Sequence, residues 1–258
     1  TNMSHMFKDC KAFNAIDNWD VGACTDMSHM FSGCQNFNQD MENWPVENVT
    51  DMSHMFSGCQ NFNQNLNRWY PRNCSDMSYM FNGCQAFNQS VSGWSLPNVT
   101  NMEGMFQNCI KFDERTPLLR PGDSKLTNMA YMFNGCQAFS GRTLDFGDVS
   151  KVTNMSHMFK DCRAFNEPIG NLNVGACTDM SHMFQNCTNF NGGPDMGGWD
   201  TYNVTDMSHM FSGCENFNQD MEPWRVDNVT DMSYMFSGCQ NFNQNLNRWF
   251  PRNCSDMS

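Results

Sequence analysis

A solenoid of short stacked repeats is the fold class that this 258-residue chain predicts. Three observations carry the prediction. The pattern Met-x-x-Met-Phe-x-x-Cys-x-x-Phe recurs at Met3, Met27, Met52, Met77, Met102, Met129, Met155, Met180, Met207 and Met232, at spacings of 24 to 27 residues, and reopens at Met257. These columns absorb most of the 24 Met, 22 Phe and 14 Cys, so the odd composition is one unit copied about ten times. A unit of that size cannot bury its own apolar face and must stack on its neighbours. The reading is one continuous solenoid over 1–258, with no room for a separate domain.

Within a unit, the elements follow in order. Met27, Met30, Phe31 and Cys34 are spaced i, i+3, i+4, i+7, the face of a helix, and Gly33 sits where a short helix would stop. The stretch from Phe37 through Met41 and Trp44 to Val46 reads as extended, with Pro45 tolerated at an edge or bend. The step Val49-Thr50 leads into the next unit. Each rung is therefore expected to hold a turn or two of helix and one or two short strands, in ladders about 4.7–4.9 Å apart. All seven Trp fall in one column. Two stretches depart from the pattern: an insertion at 113–125, with Pro117, Pro121 and Gly122, and the glycine-rich run 192–198. Residues 25–78 and 205–258 are near copies offset by 180, and neither end reads as a cap.

The unit Asn48-Val-Thr-Asp-Met-Ser-His-Met-Phe-Ser-Gly-Cys59-Gln-Asn-Phe62-Asn resembles the repeat of the BspA-like leucine-rich-repeat surface proteins. It looks most like the branch whose repeats carry Asn-Val-Thr before the Met-Phe core. The resemblance spans essentially the whole chain. It implies a leucine-rich-repeat-like solenoid, secreted or surface-anchored, used in adhesion and matrix, and no catalysis.

Charge narrows the partners. Fifteen Lys and Arg against 27 Asp and Glu leave a net charge of −12, unsuited to nucleic acid or anionic membranes. No run approaches the roughly 18 apolar residues of a membrane span. No Ser/His/Asp or Cys/His constellation stands apart from the repeat, so no enzyme activity and no cofactor is expected. The expected function is an extracellular structural protein that forms a filament or matrix, its subunits associating end to end as a homopolymer. The alternative is a cell-surface adhesin whose partners are glycans or surface proteins.

Four sets of residues carry candidate chemistry. The column Cys10, Cys34, Cys59, Cys84, Cys109, Cys136, Cys162, Cys187, Cys214 and Cys239 reads as a ladder of buried free thiols. Rung-to-rung disulfides, needing Cα atoms about 4.4–6.8 Å apart, are the alternative. With no Cys-x₂₋₄-Cys pair, a zinc site is not expected. All six His (5, 29, 54, 157, 182 and 209) share a column with Tyr79, Tyr131, Tyr234 and Gly104, which points to ring stacking and to lost stability on protonation. The Asp column beginning at Asp26 and Asp51 alternates with Asn, which suits capping better than calcium. Asn14, Asn38, Asn63 and their equivalents follow the second Phe as an expected asparagine ladder. Sequons make Asn48, Asn73, Asn98, Asn203, Asn228 and Asn253 the glycosylation candidates. Arg115, Arg120 and Lys125 form a possible interaction loop.

Overall fold

The computed structural model describes residues 1–16, 19–114, 125–142, 144 and 146–258. Its frame is a single line of parallel β-bridges. Asn2 pairs with Asp26, Asp26 with Asp51, Asp51 with Asp76, and so on through Asn101, Asn128, Asn154, Asp179, Asp206 and Asp231 to Asp256. Each repeat is thus one rung, in register with the next. The chain is a repeat solenoid.

The interior of a rung differs from the expected helix and strands. Among the described residues the one named element is a 3₁₀ turn, Pro194–Gly198, in the glycine-rich run. The Met-Phe-Cys segment is instead a chain of turns that splits its donors between two directions. Met52, His54, Phe56 and Gly58 donate their backbone N–H to Asp76, Ser78, Met80 and Asn82 on the next rung, at 2.7–3.0 Å. Met55, Ser57 and Cys59 donate three residues back within the rung, to Met52, His54 and Phe56. The N–H of Ser53 goes to the Asp51 carboxylate at 2.8 Å. No N–H from Met52 to Cys59 is left over, the condition a buried backbone must meet.

Left-handed backbone makes this winding possible. The third position of the first and last of these turns has positive φ, 55° at His54 and 77° at Gly58, and the pattern recurs along the chain. Gly meets that demand without strain, whereas for His and Tyr it costs about 1–2 kcal/mol each. Two N–H···O bonds per turn and the stacking of the rings offset the strain. The apolar spacing misleads here, because turns that close every third residue place i, i+3, i+4 and i+7 on one side as an α-helix does.

That side forms one continuous core. The two Met, two Phe and the Cys of each interior rung are buried, as are Val49, Leu66 and Trp69. The first Phe column stacks rung on rung, Phe56–Phe81 and Phe81–Phe106 at 5.6 Å between ring centres. The second does the same, Phe62–Phe87 at 6.1 Å. Within a rung the two rings lie face to face, 4.3 Å apart for Phe56 and Phe62. Trp69 and Trp94 clamp the opposite wall, each indole N–H donating to the preceding rung, to the carbonyls of Met41 and Leu66 at 2.8 Å. Where rung six lacks a Trp, Phe146 takes its place against Phe133 and Phe159.

Candidate functional site

Polar columns run along the outside of this core, and each has a structural bond to make. At the bend after the second Phe, the side-chain oxygen of Asn14 accepts the backbone N–H of Asn38, Asn38 that of Asn63, and Asn63 that of Asn88, at 2.8–2.9 Å. Asp113 and Ser140 continue this line, which resumes from Asn166 to Asn191, Asn218 and Asn243. It is an asparagine ladder. The Asp/Asn column caps turns: Asp26, Asp51 and Asp76 each accept the N–H two residues on, and Asn101 does so for Glu103. Charge is not needed for that bond, which is why Asn alternates with Asp. Among the described residues no three His, Cys, Asp or Glu converge as metal ligands.

The sequon asparagines form another ladder. The side-chain N–H of Asn48 donates to the Gly22 carbonyl, Asn73 to Glu47 and Asn98 to Arg72, at 2.8–2.9 Å. Asn203, Asn228 and Asn253 do the same to Gly175, Tyr202 and Asp227. The Thr two residues on is also engaged, Thr50 and Thr100 donating their hydroxyls to the preceding rung at 3.0 and 3.1 Å. Both halves of Asn-x-Thr therefore hold rungs together, which gives the motif a structural use. Of the expected interaction loop, Arg115 and Arg120 lie outside the described residues. Lys125 takes the sequon-Asn position of its rung, and its ammonium donates to the Asn98 side chain at 2.7 Å.

The cysteine column points inward. From Cys34 to Cys239, each thiol of the column bonds the carbonyl of the first Phe on the preceding rung, as Cys59 does to Phe31 at 3.1 Å and Cys109 to Phe81 at 3.0 Å. All fourteen cysteines are free. Burial pushes the Cys34 thiol up to about 11 and those of Cys74 and Cys177 up to about 12. Burial raises the Cys109 and Cys162 thiols too, with neighbouring thiols adding to it. A thiolate is the reactive species, so these groups are inert. At pH 8 a thiol reagent should therefore modify exposed Cys10 first, then half-buried Cys239 and Cys254, while the other eleven wait for unfolding. Rapid titration of all fourteen in the native protein would show that the column is not packed this way.

The His/Tyr column is a stacked ring ladder in two runs. His5–His29 and His29–His54 lie 4.5 and 4.4 Å apart between ring centres, and Tyr79 closes the run. Gly104 interrupts it, since a Cβ there would collide with the Tyr79 ring. The second run goes from Tyr131 through His157, His182 and His209 to Tyr234. The rings are nearly parallel, so their nitrogens do not converge on one ion at the ~2.0–2.1 Å of a zinc–imidazole bond. Burial holds His29, His54, His157 and His209 below the usual imidazole range, His157 at about 4. Stacking neighbours add to the lowering at His29 and His157.

One corner of the rod gives little sign of itself in the repeat. A surface hollow of about 410 Å³ lies between the second and third rungs, lined by Glu47, Asn48, Tyr70, Arg72 and Asn73. Tyr70 is 47% exposed. The available signal was that Tyr70 and Tyr202, of the five Tyr, fall outside the His/Tyr column.

Comparison with known proteins follows the repeat. The family model described as "Mycoplasma protein of unknown function, DUF285" matches residues 1–119, 120–196 and 192–258. Among curated proteins, none matches. A solved leucine rich cell surface protein from Faecalibacterium prausnitzii A2-165 is similar at 15% identity, over 93% of this chain and 74% of that one, with a TM-score of 0.42. A TLR13–ssRNA13 complex is similar at 11% identity, over 85% of this chain and 45% of that one, with a TM-score of 0.19.

Proposed function

The chain belongs to the DUF285 family, and from its geometry we propose that it is an extracellular structural repeat protein, a rod of the BspA-like kind that the motif resembles. One observation supports this most: the same bonds recur at every rung-to-rung interface, from the Asp/Asn bridges to the Phe stacks. A chain that repeats one interface so often is organised for length. No catalytic role is assigned, because each His and Cys already serves the stack.

Filament growth is the assembly this design favours wherever a rung face is left bare. Negative-stain microscopy at micromolar concentration should show long uniform fibres. Monodisperse short rods would reject filament growth, and labelling of intact cells with a membrane-impermeant reagent tests the surface location separately.

A further inference from the structure

Nearly every aromatic ring in this molecule is stacked on another. Tyr70 is not. Among the described residues it has no ring partner, and only the Arg72 guanidinium approaches its face, at 6.0 Å. The same column holds Pro45 on the rung before and Ser95 on the rung after, so the ring ladder does not pass through it. An open Tyr ring, apolar in its body and polar at its tip, is a residue type enriched at interfaces.

The groups around the ring have polar capacity to spare. Arg68, on the neighbouring column, pairs with Glu42 at 3.6 Å. Arg72 and Glu47 carry no such ion pair among the described residues, although both line the hollow. Their backbone carbonyls are taken up by the Asn ladder, which fixes the corner rigidly while leaving the charged ends free. The site therefore offers an open ring face, a fork of donors and a carboxylate acceptor, beside two amides already held by the ladder, in a volume within the roughly 300–1,000 Å³ of small-ligand clefts. The near copy repeats the set as Asp227, Asn228, Phe250, Arg252 and Asn253. Beside it, the Arg225 guanidinium lies 4.0 Å over the ring of Tyr202.

We propose that this corner binds the pyranose rings of a polysaccharide. A pyranose has one apolar C–H face, which suits a bare aromatic ring, and a rim of hydroxyls, which both donate and accept. Arg72 would donate to that rim and Glu47 accept from it. A second copy of the set on the same chain would let one polymer engage twice and gain by avidity. The inference goes beyond the structural reading, and it stands or falls apart from filament growth.

The test uses the full chain with soluble hexasaccharides of β-1,4-glucose, β-1,4-N-acetylglucosamine, β-1,3-glucose and β-1,4-mannose, read by calorimetry and by tyrosine fluorescence. At least one should bind with sub-millimolar Kd. The pair Tyr70→Ala and Phe250→Ala should weaken it tenfold or more with an unchanged melting temperature, and Tyr70→Phe should retain it. Arg72→Gln should weaken it without abolishing it. No binding by any of the four at 5 mM would overturn the proposal. So would binding indifferent to Tyr70→Ala with Phe250→Ala, or a corner that instead takes up an acidic peptide.

Discussion

Phe106→Ala should destabilise the protein by about 3–5 kcal/mol, the range for removing a fully buried aromatic ring. Phe106 is fully buried and stacks on Phe81 and Phe133 at 5.6 Å and on Phe112 at 4.5 Å. The cavity would lie in the middle of the solenoid, where no other ring can slide across, because every neighbour is held by its own rung. Stability here is a sum of rung terms and nearest-neighbour interfaces, so the loss falls on two interfaces together. The variant should melt in two resolved calorimetric steps where the parent melts in one, as the rungs on either side uncouple. Gln85→Ala, on the exposed bend of the adjacent rung, should stay within about 0.5 kcal/mol. A single transition for Phe106→Ala, shifted by less than about 1 kcal/mol, would mean that the Phe column does not carry the stack.

The architecture could be read from the sequence because repetition is a property of order, and the bridged Asp/Asn column spaces the rungs as the Met pattern does. The path inside a rung could not. A helix and a chain of three-residue turns give Met27, Met30, Phe31 and Cys34 the same apolar spacing, and only the sign of φ at His29 and Gly33 separates them. The clue was the mixture at those two positions. Gly104 among His and Tyr, with Gly alternating with Asn and Asp at position 33 and its equivalents, signals backbone that Gly, Asn and Asp tolerate. A helix interior would not favour that set.

Sites divided along a similar line. Residues in columns were read by what the column shares, so the Asn ladder and the Asp caps could be seen in advance. Tyr70, Arg72 and Glu47 share no column chemistry, and their meeting depends on how two consecutive rungs turn the same corner. Sequons have a structural use that the motif alone does not show. The motif Asn-Val-Thr suggests a glycan, yet the Asn48 amide and Thr50 hydroxyl are already bound to the preceding rung. The fold by itself gives that motif a reason to repeat.

Acid should weaken the solenoid through the His ladder. The unfolded chain binds protons on its imidazoles near the ordinary value of 6.5, whereas His29, His54, His157 and His209 bind them only at lower pH when folded. Below pH 6.5 the unfolded state thus holds more protons, and stability falls with pH. For His157 the loss is complete near its folded value of about 4. Geometry explains the direction. The Nδ1 atoms of His29, His157 and His209 are buried without a partner, so a cationic ring would carry an N–H with no acceptor. Stacked neighbours at 4.3–4.5 Å add like charge. Lys8 and Lys160 oppose protonation as well, while Asp51, Asp76 and Glu103 in the first run and Asp206 and Asp231 in the second favour it without reversing the outcome. A tenfold weaker hold on a proton corresponds to about 1.36 kcal/mol, and solvent screening of a half-buried ring leaves about 1–2 kcal/mol for His157. Over the ladder, the melting midpoint should drop by on the order of 5–10 °C between pH 7 and 4.5. Replacing His157, His182 and His209 by Tyr, which other rungs carry at the same position, keeps the stack and removes its protons. That variant should lose much of the pH slope while holding its midpoint at pH 7. A parent curve flat from pH 8 to 4.5, or a variant as steep as the parent, would show that the ladder is not the acid-sensitive element.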